Sequence, residues 1–278
     1  MRTVASLACA LSALSVALAA CGGTTGGDVI DFPAAAAGPS DADTIRTNGF
    51  VTDLGWHVVL TKATLHVGAL YLSQTQPVAG AQTTSCVLPG TYVAQVTTGL
   101  DVNLLSPTPL KFPALGHGTT LGALVGQVWL AGDDDHDLDN PSDTTPILIV
   151  EGTAERAGDV RPFSGTITIA SKRVSQGGSV AGSNTLCKQR IVSPIPTRVV
   201  IQHEGGLVLR VDPRQLFVNV DFSKLGKLPN GYSFSDDPAQ IDPSSPLYYS
   251  QPSANLYQNL HSAGTNAPLY SFAWDASL

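Results

Sequence analysis

The sequence predicts an all-β protein, an antiparallel β-sandwich carrying one short helix near its C-terminus. Gly (27) and Pro (19) are frequent among the 278 residues while charged side chains make up only 13%, which suits many short strands joined by tight turns. Apolar residues recur with a period near two rather than 3.6 in several short segments bounded by Gly and Pro. Only residues 253–262 show helical spacing, with Leu256, Tyr257 and Leu260 on one face.

The strands follow in chain order. Residues 56–72 (WHVVLTKATLHVGALYL) form the most apolar stretch beyond residue 20, free of Pro and rich in β-branched side chains. They predict one long strand, or two bent near Lys62 and Ala63. Strict alternation puts Trp56, Val58 and Leu60 on one face, and His57, Val59 and Thr61 on the other. His57 and His66 then point to opposite faces unless a bulge intervenes. Residues 91–97, 121–130 and 147–154 supply further strands. In 163–169, Phe163, Gly165, Ile167 and Ile169 face inward against Ser164, Thr166 and Thr168. Residues 198–202 and 206–212 flank His203-Glu204-Gly205-Gly206 as a hairpin. Val218, Val220 and Phe222 alternate in another strand, and Tyr270, Phe272 and Trp274 form a closing aromatic strand. No internal repeat or interior linker is visible, so residues 50–278 read as a single domain.

The first twenty residues are a different material. Arg2 precedes an apolar run of small residues, followed by Leu18-Ala19-Ala20-Cys21, the layout of a secretory signal that is removed rather than folded. The four-residue run resembles the lipobox of bacterial lipoproteins. That resemblance implies cleavage before Cys21 and lipidation (diacylation and N-acylation, palmitate included) of Cys21. Gly22 in place of Asp implies delivery to the outer membrane, on its periplasmic or cell-surface face. The rest of the chain is similar in general character to envelope lipoproteins of Gram-negative soil bacteria, a likeness that transfers no site residues. Residues 21–49, with GGTTGG and four consecutive alanines, read as a flexible lipid-anchored tether in which only Val29, Ile30 and Phe32 have strand character.

Composition excludes some partners. The formal charge of −7 becomes more negative by one when Arg2 leaves, and no basic cluster offers a phosphate-binding face, so nucleic acid is excluded. Membrane contact is expected through the acyl chains. Of the four cysteines, Cys9 leaves with the signal and Cys21 is lipidated. Cys86 and Cys187 remain, most simply as a disulfide in an oxidising envelope.

Candidate sites are few. The loop from Gly132 to Asn140 is the one dense patch of hard ligands, and Asp133, Asp135 and Asp137 alternate as the first ligands of a calcium loop do. Leu138 stands where that motif needs Gly, and Thr144 where it needs Glu, so a solvated acidic turn is the simpler reading and calcium the alternative. The six histidines show no HxH or HExxH spacing; His57, His66 and His117 are the ones to test for copper or zinc. A Met-rich copper site is excluded, because Met1 is the only methionine. Gly177-Gly178-Ser179-Val180-Ala181 fails the Gly-x-Ser-x-Gly pattern, and Glu151, Glu155 and Glu204 are the acids from which a glycosidase pair would be drawn. Lys172-Arg173 and Lys188-Gln189-Arg190 read as cations pairing with the acidic surface or with a partner's acidic patch. Tyr248, Tyr249 and Tyr257 have the chemistry to stack on sugars. These observations favour a lipid-anchored envelope protein with a non-catalytic binding or structural role and no cofactor, whose partner is an envelope protein or polysaccharide. A Ca or Cu/Zn-binding lipoprotein and a hydrolase of envelope polysaccharide are the alternatives.

Overall fold

A computed structural model describes residues 26–75, 90–132, 138, 140, 142–169, 189–228, 231–234, 251–261 and 268–278. The fold is all-β and sandwich-like, as the sequence predicts. A six-stranded sheet is ordered β1 (Val29–Phe32), β9 (Gly116–Thr119), β6 (Tyr92–Val96), β5 (Ala69–Ser73), β10 (Val125–Trp129) and β13 (Ile191–Pro196). A second sheet is ordered β15 (Gly226–Leu228), β16 (Gly231–Ser233), β12 (Asp159–Thr168), β11 (Pro146–Arg156), β4 (His57–Val67) and β3 (Phe50–Val51), with β7 (Leu100–Asn103) also on β4. A third holds β17 (Tyr270–Asp275), β14 (Gly206–Val211), β2 (Ala34–Ala37) and β8 (Leu110–Lys111). Two pairings, β14 with β2 and β12 with β16, are parallel, so the sandwich is mixed rather than purely antiparallel.

The long apolar stretch is the corner joining two sheets. It bulges at Thr61, where Gly152 pairs with Leu60 and Glu151 with Lys62, beside the predicted bend. It then changes sheet at Gly68, where a Cβ would sit 2.7 Å from the carbonyl oxygens of both Ala131 and Gly132. Only a residue without a side chain lets the two backbones approach so closely. Trp56, Val58 and Leu60 before the bulge, and Ala63, Leu65 and Val67 after it, all enter one continuous core. Phe163 and Ile167 enter the same core from β12, as their alternation predicts.

Three expectations are corrected. The described part of the segment read as a tether, residues 26–49, is part of the domain: Ala34–Ala37 is a strand at most 2% exposed, and Ile45 of α1 (Ala42–Asn48) is buried. Alanine here is a fit to close strand packing, not a sign of missing core. Residues 198–202 and 206–212 do not form a hairpin; β14 pairs with β2 and β17 instead. The strand expected through Val218–Phe222 is replaced by two 3-10 turns, Pro213–Phe217 and Phe222–Lys224. Asp212 and Asp221 accept the backbone N–H two residues on (Arg214 and Ser223), which offers the chain an alternative to sheet pairing. The buried rings of Phe217 and Phe222 then pack against Phe163 and Phe234. The predicted helix is present as α2 (Gln251–Leu260), and the aromatic C-terminal strand as β17.

Two outcomes are expected. Ala36→Leu forces a larger side chain into a fully buried strand and should cost about 1–3 kcal/mol in a denaturant titration. For Asp221, burial raises the carboxyl, but the Ser223 hydroxyl and N–H, with Arg156 and Lys224, hold it below the ordinary value. A depressed folded value means the stabilisation is present above pH ~4 and is lost as pH falls through that value. Ser223→Ala should therefore flatten the acid limb of the melting temperature against pH.

Candidate functional site

The nominated metal residues do not converge. His57 is exposed and its Nε2–H donates to the Asn48 carbonyl at 2.8 Å. His66 pairs through Nδ1 with Asp101, directly across the β4–β7 ladder, at 2.7 Å. His117 pairs through Nδ1 with Asp31 at 2.5 Å on the β1–β9 ladder. The bulge at Thr61 reverses the alternation, so His57 and His66 share the outward face, contrary to the strict-alternation expectation. They still lie roughly 30 Å apart along β4, at about 3.3 Å per residue. Among the described residues no three His, Cys, Asp or Glu side chains are placed to hold one ion.

Cys21, Cys86 and Cys187, the calcium-loop acids Asp133, Asp135 and Asp137, residues 172–173 and 177–182, Lys188, Tyr248 and Tyr249 lie outside the described residues. Glu151 and Glu155 share one face of β11, roughly 13 Å apart along the strand, wider than the ~10 Å limit for a glycosidase pair. Glu204 lies on the loop before β14. Tyr257 is buried, and its hydroxyl donates to Gln189 Oε1 at 2.8 Å.

Arg190 is not a surface cation. Its side chain is fully buried, and its guanidinium donates to the carbonyls of Ile169, Leu138, Asn140 and Asp143 at 2.8–3.3 Å. The Asp143 carboxylate lies 3.6 Å away, itself accepting from Gly132 N, Thr145 N and Thr145 Oγ1. One buried ion pair thus ties the chain between β10 and β11 to the start of β13.

Beside this clamp, the outward face of the six-stranded sheet carries a second apolar cluster of Ala69, Tyr71, Trp129, Ala131, Leu138 and Ile191, with Tyr92 against it. Tyr71 stacks near Trp129 (ring centroids 4.3 Å apart) and meets Tyr92 edge-on at 5.4 Å. Gln127 lies in the same row, paired with Tyr71 on one side and facing the Ser193–Pro194 bulge on the other. Trp129 Nε1–H donates to Gln127 Oε1 at 3.2 Å, which fixes the orientation of the amide. Among the described residues, the Gln127 Nε2 donor and the Ser73 and Ser193 Oγ atoms of the neighbouring strands are buried without a hydrogen-bond partner. Three unsatisfied polar atoms beside an aromatic wall are costly in a closed core and serve as recognition groups if a ligand completes them. The sequence held one signal of this site: Gln127 is the only polar side chain between Val125 and Ala131.

No family model matches the chain, and no curated protein matches it. Among solved structures it is similar to MbnP from Methylosinus trichosporium, with 11% identity over 90% of this chain and 99% of that one, and a TM-score of 0.36. At those values the likeness assigns neither fold nor function. Among the described residues no helix is long and apolar enough to cross a membrane.

Removing the buried cation should be severe. Arg190→Met leaves Asp143 and the carbonyls it gathers without their donor and should lower stability by about 3–5 kcal/mol, read as a shifted urea midpoint.

Proposed function

We propose that this chain is a lipid-anchored outer-membrane protein with a non-catalytic binding role, and that it binds at the Gln127 row on the outward face of the six-stranded sheet. The observation that carries this reading is the buried Gln127 amide, whose Nε2 donor has no partner while its oxygen is held by Trp129. A free amide donor and two serine hydroxyls beside the Trp129 indole suit a small polar molecule that offers oxygen acceptors, a monosaccharide unit in its chemistry. Anchorage follows from the lipobox at Cys21.

The reading is tested on protein extracted from its own membrane without added ligand. Native mass spectrometry should show a non-covalent small-molecule adduct on the wild type that is absent from Gln127→Met. A titration with neutral monosaccharides should change the Trp emission of the wild type alone. A bare wild-type mass, no response to any sugar, and a Gln127→Met variant more stable than wild type would together reduce the cluster to packing.

A further inference from the structure

The chain enters the domain at an end of the sandwich built as a lid. Asp28, the residue before β1, exchanges backbone and side-chain hydrogen bonds with Thr120. From Thr120 the chain crosses the end of the six-stranded sheet to β10, and the segment after β13 returns antiparallel beside it. Ile201 N donates to Leu121 O, Ala123 N to Val199 O and Thr197 N to Leu124 O, with Gly122 bridging Val200. His203 then meets Asp28 at 3.1 Å, so the ribbon ends against the entry point of the chain.

The ribbon has two chemically distinct faces. Ala123, Val199 and Ile201 are buried in the core, and Leu121 packs against it. The alternate positions, Gly122, Leu124, Arg198, Val200 and Gln202, point outward. Leu124 is 62% exposed and Val200 50%, and Val29, at the start of β1, is 68% exposed. Those five positions hold no acidic residue and one cation, Arg198, while Asp28, beside Val29, is paired with His203. Of the other exposed large apolar side chains, Val51 and Val160 flank His57 and Glu155 in one cross-strand row, and Leu110, Leu115 and Val218 lie outside the ribbon.

We propose that this lid lies against the lipid bilayer, with Leu124, Val200 and Val29 entering the headgroup region and Arg198 meeting lipid phosphate. The inference rests on the anchor at Cys21 proposed above. Seven residues separate Cys21 from Val29, so the leash spans at most roughly 29 Å. A domain of this size is roughly 45 Å across. A leash shorter than the body it holds brings the end where it enters to the membrane. Apolar side chains with a snorkelling arginine are the composition that a headgroup layer accepts.

The test uses full-length protein reconstituted into phosphatidylcholine–phosphatidylethanolamine vesicles. A fluorescent unnatural amino acid is placed at Leu124, at Val200 or, as a control, at Val51, which pairs with His57 at the far end of the β4–β5 run. Lipid spin-labelled near the headgroup should quench positions 124 and 200 at least threefold more than position 51. Equal quenching at all three, with a diacylated Cys21 in the mass spectrum, overturns the docking and leaves the anchor standing. An unmodified Cys21 overturns the anchor, and the docking with it.

Discussion

A guanidinium with no exposed surface, Arg190, is the constraint on which much of the molecule turns. Such a charge is tolerated only when every donor finds an acceptor and an opposite charge lies close. The carbonyls of the connection between β10 and β11 supply the acceptors, and Asp143 supplies the charge. Leu130 N also donates to Arg190 O, so the same residue holds β10 and β13 together through its backbone. The Ser193 bulge opposite Gln127 is thereby set relative to Trp129 and Tyr71.

Other arginines repeat the device more gently. Arg210 donates to the Gly38 and Pro107 carbonyls, Arg161 to those of Phe222 and Ser223, and Arg156 to that of Leu54 while lying 4.3 Å over the Trp56 ring. In a chain with so few charges, these cations work as clamps for irregular backbone, which loops of this kind need where neither sheet nor helix satisfies their carbonyls. That use turns these guanidinium groups toward the backbone of the domain.

Period-two alternation made the strands legible because each sheet buries one face: Trp56 to Leu60 and Phe163 to Ile167 alternate as read, while Thr168, expected outside, is buried. Alternation fails where the backbone departs from regular pairing. The extra residue at Thr61 reversed the face of His66, and aspartate-capped turns displaced the strand expected at Val218. Composition misled at residues 34–37, where small side chains meant tight packing. The Gln127 row was not read from the sequence: Gln127 is one polar residue in an apolar run, and its neighbours Tyr71, Tyr92 and Ser193 come from strands distant in sequence. Pairing register, which a single sequence does not reveal, brings them together. Arg190 gave no sign of burial beyond its position against an apolar run, and it read as one more surface cation.

The alanine strand has a bearing on the order of folding. It pairs in parallel with β14, about 170 residues later, and β14 in turn pairs with the C-terminal strand. Before β14 the opening strand of this sheet meets only the two-residue β8, so most of its pairing waits for a strand far along the chain. Contacts this distant in sequence carry a high loop-closure cost, so this sheet is expected to order late and slowly in folding.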